Sequence, residues 1–199
     1  NNVAVGKSAL EAHTTGSYNT AVGSLSLQLT TTGISNTGVG GQALQNNTTG
    51  SNNVAVGVNA LDASTTAGNN TAVGKSSLTA NTTGASNVAV GFAALDANTV
   101  GTNNTAVGVD ALGAEVAGQF SVAIGNNALA AQTNSSSTDV YNTAVGLNAA
   151  KLITAGKNNT IIGALAGDAM VGAQENTVLG VNAGGAVTEG DSNVFIGYN

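Results

Sequence analysis

The chain contains no cysteine, no proline and no tryptophan, and all four of its basic residues are lysine. Without cysteine, the fold cannot depend on disulfide bonds. Only three Phe, three Tyr and one Met occur in 199 residues, so bulky side chains for a conventional core are scarce. Any core must therefore be thin and built from Val, Ile, Leu and Ala.

Charge is also scarce, and its balance is negative. Ten Asp and Glu against four Lys give a net charge of -6. Nucleic acid is not an expected partner, because neutralising phosphates requires clustered cations. No apolar run reaches the roughly 18 residues of a membrane span, so direct membrane insertion is not expected either. The branched aliphatic residues recur too regularly for a disordered chain.

One short phrase is written repeatedly along the chain. "NNVAVG" stands at 1–6 and 52–57, and "NNTAVG" stands at 69–74 and 103–108. Its second Asn, counted here as position zero, returns after 17 residues at every step except one of 21. A fixed period of this kind predicts a solenoid whose units pack only on their neighbours. Because the chain begins and stops inside the phrase, we expect a longer polypeptide.

The columns of the repeat predict an all-β fold. Position four is always Gly, and positions seven and eight read Ala-Leu or Ser-Leu in the first eight units. This spacing predicts strand, turn, second strand and turn in each unit, and hence a parallel β-roll or β-solenoid of twelve 17-residue coils. Position three is always a branched aliphatic, which predicts the structural core. It is occupied by Val5, Val22, Val39, Val56, Val73, Val90, Val107, Ile124, Val145, Ile162, Leu179 and Ile196.

Position two is mostly Ala, and in a strand it faces away from positions one and three. This Ala column is too apolar for water and too small for a deep core, so we expect several chains to associate along it. Three chains around an axis are the simplest closed arrangement for a fibre. The Asn at position zero predicts either a ladder of side-chain amides or simply a residue suited to the turn.

The repeat changes after residue 141. Position two becomes larger while position eight becomes smaller, and this exchange of volume predicts that the two columns meet, within a chain or across chains. The large residues are Ile161, Val178 and Phe195, and the small ones are Ala150, Gly167 and Gly184. We therefore divide the chain into repeats at 1–132, an insertion loop at 133–141 and variant repeats at 142–199.

The insertion is the best candidate for contact with a partner, because insertions in repeat proteins often mark the binding face. Ser-rich and polar, it reads as a surface loop, and a plain spacer loop is the alternative. The candidate contact residues are Thr133, Asn134, Ser135, Ser136, Ser137, Thr138, Asp139 and Tyr141.

The phrases "NNVAVGKSAL", "NNTAVGVDAL" and "FSVAIGNNAL" resemble the head repeats of trimeric autotransporter adhesins, the YadA-like heads. The longer "NTAVG…AL…NTTG" form is similar to shaft repeats of phage tail fibres and bacterial attachment fibres. The resemblance covers essentially the whole chain. It implies a left-handed parallel β-roll, assembled as a homotrimer on a cell or virion surface, that adheres to a host receptor or glycan. The 17-residue unit is longer than the usual head repeat, which leaves adhesin and tail fibre open.

Chemistry is not expected. The only His is His13, in a variable turn, and a catalytic triad would have to assemble around it by chance. The acids are scattered without a calcium-binding pattern, so Asp139 and the Glu189/Asp191 pair are interpreted as solvated turn residues. We expect no enzyme activity, no cofactor and no metal ion.

Two other functions remain open from the sequence. A regular double row of Thr suits a monomeric ice-binding solenoid, and a passive spacer would leave recognition to another part of a fibre. The Thr pairs stand at 14–15, 31–32, 48–49, 65–66 and 82–83.

Overall fold

The computed structural model describes residues 1–199 and consists of one parallel β-sheet wound as a solenoid. Each coil contributes one three-residue strand, and the twelve strands lie side by side in sequence order. Their bounds are Val3–Val5 (β1), Thr20–Val22 (β2), Thr37–Val39 (β3), Val54–Val56 (β4), Thr71–Val73 (β5), Val88–Val90 (β6), Thr105–Val107 (β7), Val122–Ile124 (β8), Thr143–Val145 (β9), Thr160–Ile162 (β10), Thr177–Leu179 (β11) and Val194–Ile196 (β12).

The register follows the sequence period. Val5 pairs with Val22 in β2, one period further on, and Ile124 pairs with Val145 across the longer step. The four extra residues therefore leave the sheet and do not shift it. At about 4.8 Å per strand, eleven steps give a rod of roughly 50 Å. The predicted all-β parallel solenoid of 17-residue coils is confirmed.

The predicted second strand of each coil is absent. Its residues form consecutive turns, because positions six and eight adopt left-handed backbone angles, as at Leu25 (φ 62°) and Leu27 (φ 51°). Extended strands require φ near −120°. The segment still bonds to the next coil, since Leu27 N donates to Ala43 O at 3.0 Å. Bonding between coils thus continues through turns as well as through the sheet.

The core consists of Ala at position two and Leu at position eight, as illustrated by Ala72 and Leu78, which are both fully buried. It is thin, as the composition suggested. The core residues predicted at position three are wrong for the single chain: Val56 is 37% exposed and Leu179 is 46% exposed. All twelve point outward, namely Val5, Val22, Val39, Val56, Val73, Val90, Val107, Ile124, Val145, Ile162, Leu179 and Ile196.

The width of the coil explains this reversal. A three-residue strand turns one side chain inward and two outward, and the inward place here is position two. The opposing Leu fills most of the interior, which leaves room only for Ala. Ala21, Ala55 and Ala72 have no exposed surface. The Ala column is therefore interior, and the prediction that chains associate along it is wrong.

The columns that exchange volume meet inside one chain. A Cβ built on Gly167 would lie 3.3 Å from Ile161 Cδ1, and one on Gly184 would lie 3.4 Å from Phe195 Cδ2. Larger residues at position two thus occupy the space that Leu vacates at position eight. The predicted contact between these columns is confirmed.

The Asn residues at position zero form a buried ladder. Asn36 N donates to Asn19 Oδ1 at 2.9 Å, and Asn36 Nδ2 donates to the same oxygen at 3.2 Å. Asn36 Nδ2 also donates to Gly50 O at 2.8 Å. Each Asn side chain therefore satisfies backbone groups of two coils, which resolves the alternatives in favour of the ladder.

Candidate functional site

The insertion reaches the surface in its central part. Thr133, Ser135–Ser137 and Asp139 are exposed, and Thr138 is partly exposed. Asn134 is only 8% exposed and Val140 is fully buried, so both anchor the loop to the rod. The prediction of Asn134 as a contact residue is therefore wrong, because its side chain is bonded inside the fold. Tyr141 is 52% exposed and stands at the end of the loop.

A buried carboxylate fixes the beginning of the loop. Glu115 has no exposed surface, and its Oε1 accepts hydrogen bonds from the backbone of Val116, Ala117 and Gly118 at 2.9, 3.1 and 2.7 Å. Oε1 also accepts from Asn134 N at 3.2 Å, and Oε2 accepts from Asn134 Nδ2 at 2.8 Å. A buried carboxylate is tolerated when it is fully hydrogen-bonded in this way.

Gln132 bridges the one level at which the Asn ladder lacks an Asn. Ser121 replaces Asn at position zero and is too short to reach the next coil. Gln132 Nε2 donates to Ser121 Oγ at 3.1 Å and to Glu115 Oε2 at 2.7 Å. Its Oε1 accepts from Asn142 Nδ2 at 2.8 Å. One Gln therefore joins the two sections of the rod across the insertion.

Sequence reasoning missed Glu115 and Gln132, although a signal was present. Both occupy position eleven, which also holds the buried Asn47 and Asn98 in earlier coils. This column is polar before the insertion and apolar after it, where Ile153 stands. Reading position eleven as an interior column would have singled out its only acid.

Two aromatic rings stack at the surface beside the loop. Phe120 and Tyr141 stand just before β8 and β9, one coil apart, with ring centroids 5.3 Å apart and planes inclined by 14°. Tyr141 Oη donates to Asp139 Oδ2 at 2.9 Å, and this hydrogen bond raises the pKa of Tyr141. Phe120 is 39% exposed. Sequence reasoning included Tyr141 but missed Phe120, because the two lie apart along the chain.

Polar groups border the aromatic pair. Gln119 Nε2 donates to Ser137 Oγ, and Gln119 Oε1 accepts from Thr102 Oγ1 at 2.8 Å. The backbone of Gln119 also forms a parallel bridge with Asp139. The loop is thus held against the coil that precedes β8, and it presents amide, hydroxyl and carboxylate groups next to the rings.

A second candidate surface runs the whole length of the rod. We define the aliphatic face as the outward column at position three, flanked by position one, which holds Val or Thr, and by position five, which is apolar in seven coils but holds Lys7 and Lys75. Val22, Val56 and Ile124 are 37%, 37% and 40% exposed in its strand columns. Val58 and Phe92 are 48% and 50% exposed in its border. The face is continuous, because all twelve strands belong to one sheet.

The threonine rows are simpler than the sequence suggested. The first Thr of each pair uses its hydroxyl within the rod: Thr14 Oγ1 donates to Thr31 O at 2.8 Å, and Thr48 Oγ1 donates to Thr65 O at 3.0 Å. The second Thr, as at Thr49, is exposed. A single free row remains instead of the expected double row.

The remaining polar candidates are dispersed. Asn2 Nδ2 donates to His13 Nε2 at 3.0 Å, and Asp191 Oδ1 accepts from Gln174 N at 2.9 Å. No group of three or more His, Cys, Asp or Glu side chains lies close enough to hold a metal ion. The single pocket lies at the uncovered side of β12, between Phe195 and Tyr198, and no titratable side chain other than this tyrosine lines it.

The coils and their ladder define a parallel β-solenoid repeat protein. No helix of the structure has the length and apolar character needed to cross a membrane. No protein-family model matches the chain, no curated protein matches it, and no solved structure matches it.

Proposed function

We propose that this chain is a segment of an extracellular, homotrimeric and non-catalytic fibre that attaches a cell or virion to a surface. The aliphatic face is the observation that carries the proposal. The resemblance of the repeats to YadA-like heads and tail-fibre shafts supports the location outside the cell and the role in adhesion.

The size of the aliphatic face favours association. Two or three columns of side chains along a rod of roughly 50 Å give on the order of 500–800 Å². The largest apolar patch on a typical monomer is about 300–600 Å², and a stable interface buries about 800 Å² per partner. Because the interior is already filled by Ala and Leu, only another chain can cover these residues.

Cyclic symmetry along the rod suits this face. An axis parallel to the solenoid aligns each coil with the same coil of its neighbours, so the Val, Ile or Leu of position three meets its counterparts at every level. Three chains close such an arrangement. The resemblance to trimeric adhesin heads supports this number over two or four.

The insertion would then occur three times at one level of the fibre. Repeated copies of a weak contact raise the overall strength of attachment, provided that they engage the same surface. The exposed residues Ser135–Ser137, Asp139 and Tyr141 are our candidates for this contact. In the alternative, the loop is a spacer and recognition lies elsewhere.

Light scattering after gel filtration tests the assembly directly. We expect a mass of three chains, each of 19.1 kDa. Val56→Lys places a charge on the aliphatic face and should reduce the mass to one chain. Thr66→Lys is the matched control, because Thr66 is exposed on the same coil away from that face, and it should leave the mass unchanged.

A wild-type mass of one chain would contradict the trimer. In that case the free threonine row makes an ice-growth assay the next experiment. If Val56→Lys and Thr66→Lys both retained three chains, the aliphatic face would not be the interface, and the chains would associate through a different surface.

A further inference from the structure

The stacked pair of Phe120 and Tyr141 is unusual in a chain with only six Phe and Tyr. Neither ring belongs to the hydrophobic core. Both are partly exposed, at 39% and 52%, and they lie where the repeat is interrupted. Tyr18 is the only other aromatic at this position of the repeat, and it has no aromatic neighbour in the next coil, where Ser35 stands.

The backbone at this position is unfavourable for aromatic residues. Phe120 and Tyr141 have left-handed φ angles of 60° and 55°. For most L-residues this conformation costs roughly 1–2 kcal/mol, whereas Asn and Gly tolerate it. In other coils the same position is held by Asn69, Asn103 and Asn158, which also have positive φ angles. Tyr18, Ser35 and Glu175 share this conformation in other coils, so what distinguishes Phe120 and Tyr141 is that two aromatics follow each other at this position and stack outside the core.

The groups around the rings indicate the chemistry of a ligand. Amide, hydroxyl and carboxylate groups come from Gln119, Ser137 and Asp139. The two rings are too small a surface for a stable protein interface, which buries about 800 Å² per partner. The chain has no cluster of cations for phosphates, and its net charge of -6 disfavours an anionic ligand. An uncharged polyhydroxylated ligand fits both kinds of group.

We propose that the Phe120–Tyr141 pair is a binding subsite for the sugar rings of an uncharged polysaccharide. The C–H groups of a sugar ring pack against the aromatic π-systems, and its hydroxyls pair with the side chains of Gln119 and Asp139. This inference rests on the proposed attachment function and names the class of surface that the fibre recognises.

The site is organised before a ligand arrives. Glu115 bonds both the backbone and the side chain of Asn134, and the burial of Val140 anchors the other end of the loop. Tyr141 Oη is held by Asp139. Fixing these groups in advance lowers the entropy lost on binding.

Affinity electrophoresis in native gels containing dextran, amylose, galactan or mannan tests the subsite. The wild-type chain should be retarded by at least one of these polysaccharides. The double variant Phe120→Asn with Tyr141→Asn should bind at least tenfold more weakly. It should remain folded, because Asn is the residue that other coils use at this position. Tyr18→Asn removes another exposed aromatic from the same position and should behave as the wild type.

Two results would overturn the proposal. One is a wild-type chain that none of the four polysaccharides retards. The other is a double variant that is retarded as strongly as the wild type, whatever its melting temperature; a lower melting temperature would then assign the rings a structural role. The mass measurement is separate: a trimer without retardation refutes the subsite alone, whereas a retarded monomer refutes the trimeric fibre alone.

Discussion

Removing one rung of the Asn ladder should destabilise the rod strongly. Asn87 Oδ1 accepts a hydrogen bond from Asn104 N at 3.0 Å, and Asn87 Nδ2 donates to Gly101 O at 2.8 Å. Asn87→Ala leaves Asn104 N buried without a partner, whereas Gly101 O keeps its hydrogen bond from Asn98 Nδ2 at 3.1 Å. One unsatisfied buried donor costs about 1–3 kcal/mol, so the free energy of unfolding should fall by about that amount.

Urea denaturation followed by circular dichroism measures this loss. Asn126→Ala is the matched control, because Asn126 is exposed, and its free energy of unfolding should change by no more than about 0.5 kcal/mol. All chains must be compared at one concentration, since association links stability to concentration. If Asn87→Ala lost no more stability than Asn126→Ala, the Asn ladder would not stabilise the rod.

Three further changes test the coil, the core and the acids. Gly91→Ala should destabilise the fold by more than about 2 kcal/mol in the same denaturation assay. Its Cβ would lie 2.3 Å from the carbonyl oxygen of Gly108 in the next coil, at a φ of 141°. Gly172→Ala is the control, because its Cβ would meet no atom closer than 3.5 Å. Leu78→Ala should cost about 2–5 kcal/mol because the side chain is fully buried, and a smaller loss would show that the coil collapses around the cavity. Burial, together with the charge of Asp110, raises the pKa of Asp96 in the folded state, so the native state binds its proton more tightly and loses stability as the pH rises above about 4. Asp96→Asn should therefore raise the denaturation midpoint at pH 7 and not at pH 3, and an equal change at both values would contradict the burial argument.

The architecture was predictable because every coil repeats the same constraints. The period of 17 residues fixed the register that joins Val5 to Val22, and the exchange of volume between Ile161 and Gly167 revealed a contact inside the coil. Each of these inferences compares the same column in many coils. Accidental features of a single coil therefore had little influence on them.

The direction of the side chains was not predictable in the same way. Val56 and Ala55 are both apolar, so alternation along a three-residue strand fits either face. The width of the coil decides between them, and it depends on Leu residues with left-handed φ angles such as Leu61. Such angles are rare for Leu, so the sequence suggested a second strand instead.

The candidate site depended on contacts that only the fold brings together. Tyr141 was identified because it ends the insertion, whereas Phe120 joins it only when two coils stack. Glu115 also became recognisable only as the partner of Asn134. Residues that interrupt a repeat could be located from the sequence, but the groups that support them could not.

The hydrogen bonds between coils point along the axis of the rod, because the strands run across it. Neighbouring coils are joined at each junction by sheet hydrogen bonds, by hydrogen bonds between turns and by Asn side chains. Between two such coils, for example, Thr37 N donates to Asn53 O and Asn53 N donates to Asn36 Oδ1. A pull along the axis would load this whole ring at once instead of opening one bond after another. Resistance to tension would then be set by the weakest junction and would not change with the number of coils.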